Sequence, residues 1–338
     1  MRFMKELPRR CIALILVIAL SLPMLSGCAE KHKSRTEFGI FGYTHITVHD
    51  YSGMSESAFD SLFDKLVSRL EYYGKLFDIY YEYSEINNLR TVNLSAGEAV
   101  TVPNEIIELI EHALGMYELT GGEVNIAAGA VLRLWHDARE AGDYIPDIQT
   151  LERALEHCDI RCVEIDKTAM TVRLTDSEAS LDVGAVAKGF AVEKLAEYAA
   201  ELGAESLVID VGGNLRTVGN HPSGNGWPVY IQNPVTAEKI KLDGVLGAAV
   251  TSGDYQNSNY YIYEGKKYHH IIDLDTLMPA EYFSSVSVIC EDSGIADALT
   301  TALFCMPYES GCELLSSVRS VSRAVFITAS GEVLFYES

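Results

Sequence analysis

Apolar residues recur at helical spacing in two stretches of the chain. Phe59, Leu62, Phe63, Leu66 and Leu70 mark one face of a helix that Ser55 is placed to cap. Ile106, Ile107, Leu109, Ile110 and Leu114 mark a second helix, entered after Pro103 with Asn104 as its expected cap and ended by Gly121-Gly122. Further helices are expected just after Asp147 and over residues 186–202, 296–304 and 309–318. Strand patterns fall near residues 42–49, over 163–165 and 170–174 around the polar turn Asp166-Lys167-Thr168, and over 207–211 before Gly212-Gly213-Asn214. Others centre on Val229, Ile240, Ala248, Tyr261, Ile271 and Val286, and a hairpin over 324–327 and 333–336 closes the chain. Strands and helices mix without strict alternation. The expected class is therefore α+β, with mixed or antiparallel sheets and packed helices, and not a doubly wound parallel sheet. No repeat, low-complexity tract or long linker divides it.

The first residues read as a targeting segment. Arg2, Lys5, Arg9 and Arg10 precede an apolar run over 11–25, which is too short for the ~20 residues that cross a bilayer. Leu25-Ser26-Gly27-Cys28 follows, and this tetrad resembles a bacterial lipoprotein signal. The resemblance implies cleavage before Cys28, lipidation of that cysteine and a mature protein held on the extracytoplasmic face of the membrane. The expected organisation is a signal peptide over 1–27, a polar tether over 28–37 and one catalytic unit over 38–338.

Charge narrows the partners. The full chain carries a formal charge of −22, and losing the basic leader makes it more negative. Such a surface repels nucleic acid. It can hold a phosphorylated ligand only with a local positive element, a metal ion or a placed lysine. Cys158, Cys162, Cys290, Cys305 and Cys312 form no CxxC pair, which argues against a zinc site and singles out no disulfide.

Three clusters carry candidate chemistry. Asp182-Val183-Gly184-Ala185-Val186-Ala187-Lys188-Gly189 lies where a strand gives way to a helix, so backbone N–H groups and Lys188 could face phosphate oxygens. A plain tight turn is the competing reading, and the order Lys-Gly excludes a P-loop. Asp297 and Thr301 sit four residues apart on one helical face, two hard oxygen donors suited to Mg²⁺. An aspartate favoured by the helix dipole is the competing reading there. Thr251-Ser252-Gly253-Asp254-Tyr255 and His270-Ile271-Ile272-Asp273 come third, with a histidine that could act as a base.

Taken in order, these segments resemble the ApbE family of FAD:protein FMN transferases. Residues 83–89 (YSEINNL) resemble the family's SEIxxLN element, 121–129 its glycine-rich flavin segment, 182–189 its DxGxxAKG and 211–214 its VGG(D/N) turn. Residues 251–255 match TSGDY, 270–273 match HIID and 297–301 match the DALxT helix. The resemblance runs from about Phe41 to Tyr336. It implies an FAD cleft between lobes and Mg²⁺ ligands at Asp297, Thr301 and the backbone oxygen of Ala185. It also implies flavin nucleotide contacts at Phe41, Tyr83, Glu123, Val124, Asn125, Asp182, Lys188, Ser252, Gly253, His270 and Ile272. The implied reaction is Mg²⁺-dependent transfer of FMN from FAD to a Thr or Ser hydroxyl of an acceptor protein in an SGAT-like context. Lys188 would assist and His270 or Asp273 would act as base; the alternatives are an FAD pyrophosphatase and a non-catalytic FAD-binding lipoprotein. Three positions depart from the pattern: Asn125 stands for aspartate, Asn214 is the Asn form of its turn, and Leu277 replaces a glycine.

Overall fold

The computed structural model describes residues 32–41, 44–255 and 259–338. Its centre is an antiparallel sheet of eight strands, in the order β1 (Lys33–Ile40), β2 (Thr44–Asp50), β6 (Ser206–Val211), β7 (Asn214–Gly219), β10 (Ala248–Gly253), β15 (Ser285–Cys290), β16 (Val321–Ile327) and β17 (Val333–Glu337). Alternation along the strands sorts their side chains to two faces. Leu207, Ile209 and Val211 join Val250, Val286 and Val288 in the main core. Val208, Ala249 and Ile289 point the other way, into a smaller core closed by Trp227, Val229 and Leu242 from the hairpin β8 (Trp227–Gln232) and β9 (Lys239–Val245).

Helices cover the main-core face. Helix α1 (Glu56–Leu76) starts where the Ser55 hydroxyl accepts from Ala58 N–H, and it buries all five residues of its apolar stripe. Helix α2 (Leu89–Leu94) is fixed by a reciprocal capping box between Asn88 and Thr91. Helix α3 (Asn104–Leu119) begins one residue earlier than expected. Asn104 is already helical, Pro103 holds the cap position without a side-chain bond, and the Asn104 amide reaches Glu108 instead. Helices α6 (Ala187–Glu201) and α7 (Ser293–Phe304) lie against the sheet and each other. Helix α8 (Tyr308–Ser317) precedes the closing hairpin.

A separate apolar cluster forms beside this body. Helix α4 (Gly129–Ala141) contributes Val131, Trp135 and Ala138, and helix α5 (Ile148–Leu155), capped by Asp147, contributes Leu151. Tyr261 and Tyr268 join from the hairpin β11 (Tyr260–Tyr263) and β12 (Lys266–His269), and Ile272 from the short pair β13 (Ile272–Asp273) and β14 (Met278–Pro279). Trp135 Nε1 donates to the Leu277 carbonyl at 3.0 Å, pinning α4 to this segment. Leu277 stands in the left-handed region, φ +59°. A glycine would hold that conformation without strain, whereas leucine carries roughly 1–2 kcal/mol of it, offset by burial in the small core. A three-stranded sheet, β3 (Ala99–Thr101), β5 (Thr171–Leu174) and β4 (Val163–Asp166), completes the fold.

Two expectations change. Residues 33–37, read as tether, are strand β1, because their backbone pairs with β2 from Lys33↔Asp50 onward, although their side chains are too polar to signal a strand. The α4 helix was not foreseen. Cys158, Cys162, Cys290, Cys305 and Cys312 are all free. Among the described residues no helix is long and apolar enough to cross a membrane; the leader, Cys28 and Gly42 lie outside them.

Candidate functional site

The turn before α6 and the middle of α7 meet. Gly189 N–H donates to Asp297 Oδ2 at 2.7 Å across 108 residues of sequence. With the Asn214 amide turned so that both of its ends are satisfied, its nitrogen donates to Asp297 Oδ1 at 3.2 Å and its oxygen accepts from Lys188 Nζ at 3.2 Å. Asn214 is fully buried. Lys188, Asn214 and Asp297 thus form one chain of polar contacts. Gly189 permits it, because a Cβ there would overlap the Asp297 Cβ and the Ser293 carbonyl oxygen.

Asp297 is 4% exposed. Burial pushes its carboxyl above the usual carboxylate range, while Lys188 and the Gly189 and Asn214 hydrogen bonds pull the other way. A buried carboxylate short of positive charge is a setting that a cation would relieve. Thr301 Oγ1 makes only a long bond, 3.4 Å, to the Asp297 carbonyl one turn back, which leaves its oxygen available. Among the described residues no group of three or more His, Cys, Asp or Glu side chains is placed to hold a metal. The Asp297 carboxylate and the Thr301 hydroxyl, one turn apart on α7, are oxygens of the kind that could hold a hard ion such as Mg²⁺, which takes few protein ligands.

Neighbouring contacts brace this centre. Ser252 Oγ and Thr300 Oγ1 are 2.9 Å apart, and Thr300 Oγ1 donates to the Asp297 carbonyl at 2.8 Å, so the β10 end is tied to α7. Glu193 on α6 accepts from Arg216 Nε and Nη2 at 2.8 and 2.9 Å and from Ser293 N–H, the first turn of α7, at 2.7 Å. That carboxylate locks α6, α7 and β7 together and complements the α7 dipole. On the other side, Asp182 N–H donates to the Ile126 carbonyl at 2.8 Å, knitting the 123–128 segment to the turn. The Asp182 carboxylate accepts from Gly184 N–H at 2.8 Å, and burial raises its pKa.

His270 is exposed to solvent. Desolvation, then His269, Arg139 and Lys188, lower its pKa to about 3, so the ring is neutral at physiological pH. Asp273 differs. It is buried, and its Oδ1 accepts from Asp275 N–H at 2.8 Å and Thr276 N–H at 3.3 Å, which makes it the holder of the turn that ends at Leu277. Asp273 and His269 also line a cavity of about 560 Å³ that includes neither His270 nor Lys188 nor Asp297. Lys188 acts electrostatically on His270.

The remaining expected contacts divide by what is free. Val124 and Ile272 are buried, so only their backbones could meet a ligand. Asn125 spends its side chain internally: Nδ2 donates to the Cys158 carbonyl at 2.8 Å and Oδ1 accepts from Ala127 N–H at 2.9 Å. These two bonds also shape the 125–128 loop. Tyr83 donates its hydroxyl to Asp78 at 3.0 Å. Phe41 packs edge-on against Phe77, which packs against Phe190 two residues past Lys188. Gly253 ends β10 beside Ser252.

Glu123 is half-buried, and burial together with the Asp275 and Asp273 carboxylates raises its pKa to about 7. A carboxyl whose folded pKa lies above its unfolded value favours folding fully only below the unfolded pKa, and that contribution fades as pH rises from about 4.5 to about 7. Glu123→Gln should therefore raise the melting temperature at pH 8 by more than at pH 5. Equal changes at both pH values in thermal melts would show that the Glu123 carboxyl does not feel Asp273 and Asp275.

Asn214, Glu193, Arg216 and Thr300 were not expected as site residues. Asn214 left a trace in the Gly-Gly-Asn turn and Thr300 lies within the 297–301 segment, whereas Glu193 and Arg216 are single polar residues on a helix and a strand face with no local signature.

Comparison with known proteins identifies the family. Residues 42–326 match the ApbE family. An FAD:protein FMN transferase of Treponema pallidum is 35% identical over 257 residues, covering 71% of this chain and 70% of that protein. One of Klebsiella pneumoniae is 28% identical over 274 residues, covering 77% and 83%. The crystal structure of the ApbE protein of Thermotoga maritima superposes with a TM-score of 0.79 at 25% identity, covering 90% of this chain and 96% of that one. The flavin transferase ApbE of Vibrio cholerae, at 23% identity and a TM-score of 0.75, shares the fold. With the match spanning most of its length and the strand-to-helix turn meeting the acidic helix where the motifs required, the chain belongs to the ApbE family.

Proposed function

We propose that the protein is an FAD:protein FMN transferase that moves the FMN half of FAD onto a threonine or serine hydroxyl of an acceptor protein and releases AMP. The observation that carries this reading is the contact chain Lys188–Asn214–Asp297, which gathers a cation and a buried carboxylate at one point in an acidic protein. Family membership supplies the flavin.

In the reaction the hydroxyl oxygen bonds to the FMN-side phosphorus, the bond from that phosphorus to the bridging oxygen breaks, and AMP departs with that oxygen. Asp297, Thr301 and the Ala185 carbonyl would hold Mg²⁺, which when bound supplies the positive charge that diphosphate cleavage needs. Lys188 balances phosphate charge from the α6 side. Asn214 holds the Lys188 ammonium and the Asp297 carboxylate in fixed relation, so neither reorganises during the step. Neutral His270 accepts the hydroxyl proton. Phosphate charge beside it raises its basicity. Backbone groups of the 123–128 segment and Ile272 shape the flavin side.

The test uses purified protein, FAD, MgCl₂ and a peptide bearing threonine in an SGAT-like context. Flavin fluorescence that stays on the peptide after denaturation, with one AMP per label, is the expected result. AMP and FMN without labelled peptide would mean that water is the acceptor and the protein a pyrophosphatase; no product would leave a binding protein. The chain should gain no FMN mass itself. We also propose that Cys28 carries a lipid anchor on the outer face of the membrane, so the intact protein should sediment with membranes and a Cys28→Ala form should not.

A further inference from the structure

Arg139 forms no ion pair among the described residues. It lies near the end of α4, and its Nη2 donates to His136 Nδ1 at 3.0 Å, the only hydrogen bond its guanidinium makes among the described residues. Its Nε is buried and has no partner. Ion pairs among the described residues are formed by Arg35, Arg133, Arg161, Arg173 and Arg216 but not by Arg139, Arg69, Arg90, Arg153, Arg319 or Arg323, and of these six Arg139 and Arg69 bury an Nε without a partner. Burying a guanidinium with unused donors is costly unless an anion completes it.

The surroundings hold Arg139 ready. The His136 ring packs at 4.7 Å from the Tyr80 ring, and the Tyr80 hydroxyl lies 3.4 Å from the same Nδ1. Burial, then Arg139 itself, lower the His136 pKa, which keeps Nδ1 an acceptor. Trp135, one turn earlier, anchors α4 to Leu277, seven residues past His270. Arg139 acts electrostatically on both His270 and Asp182, and Lys188 acts on His270 from α6. Both cations thus act on His270 from different helices.

We propose that Arg139 is a substrate-binding residue of this cleft, contacting a diphosphate oxygen of the dinucleotide from the α4 side while Lys188 serves the α6 side. The planar guanidinium suits a phosphate edge, and His136 and Tyr80 position it. This rests on the flavin-transfer reading, and the experiment separates the two.

Dissociation constants for FAD, ADP and riboflavin are measured on the full protein, Arg139→Gln and Arg139→Lys. Loss of one charge-assisted bond predicts about 10- to 100-fold weaker FAD and ADP binding by Arg139→Gln, partial recovery in Arg139→Lys, and riboflavin binding within about twofold of the parent, since riboflavin has no phosphate and reports an intact flavin site. Arg139→Gln binding FAD and ADP like the parent overturns the proposal alone. So does an equal loss for all three ligands, which would assign Arg139 a purely structural part. A parent protein that binds neither FAD nor ADP overturns the flavin-transfer reading, and this proposal with it.

Discussion

Asp297→Ala should abolish flavin transfer, lowering it at least about a thousandfold, while leaving the protein folded. The carboxylate is the negative end of the contact chain through Asn214 to Lys188, and it is the one acidic side chain in the donor set proposed with Thr301 and the Ala185 carbonyl. Removing it takes away the group that a divalent ion would need most. Stability should change little, since alanine is the best helix former and the lost carboxylate is one whose burial already works against its charge. The Gly189 N–H and the Asn214 amide each lose an acceptor, an effect of opposite sign. Asp297→Asn separates charge from shape: the side-chain oxygen can still accept from Gly189, yet transfer should remain lost. The readouts are peptide labelling and thermal melting. Labelling by Asp297→Ala at the parental rate would remove the metal-assisted account entirely.

Gly189→Ala should be nearly as damaging, for a steric reason. Its new methyl would enter the space of the Asp297 Cβ and the Ser293 carbonyl. One of those obstacles is backbone, so α6 and α7 must separate. Overpacking of this kind costs about 1–3 kcal/mol, and a displacement near 1 Å in a catalytic arrangement costs about a hundredfold in rate. Gly184→Ala is the control from the same motif. A Cβ there meets only Asp182 Oδ1 at 3.1 Å on an exposed turn, so melting temperature and labelling should stay close to the parent. If Gly189→Ala melts and labels like Gly184→Ala, the two helices do not touch as described.

How much of this was readable beforehand differs from residue to residue. The α1 and α3 stripes were plain because five apolar residues at helical spacing have no competing reading, and the hairpins around 166–171 and 327–333 were plain because polar turns separate short apolar runs. Strand β1 was hidden because an edge strand with both faces mostly in water keeps no alternation. Helix α4 was hidden because it opens on a glycine whose close approach to the Ser180 carbonyl, not its helix propensity, decides its placement. At the site, Asp297 and Thr301 could be placed on one helical face from spacing alone, but their meeting with Lys188 across more than a hundred residues came from family resemblance. Asn125 shows the limit of that resemblance: with asparagine in place of aspartate, the side chain has an amide to donate, and it is spent on the Cys158 carbonyl. Arg139 had no motif at all. Its meaning lies in what is missing around it, and a linear text does not record missing neighbours.

The small apolar cluster around Trp135, Tyr268, Ile272 and Leu277 has a thermodynamic consequence. It flanks Arg139 and His270, whereas Lys188 and Asp297 rest on the main core through Ala187, Phe190, Ala296 and Ala298. A dinucleotide gripped from both sides would rivet two interiors that otherwise share few apolar atoms. Occupancy would then slow amide exchange in both, and emptying the cleft would let the lesser interior loosen first.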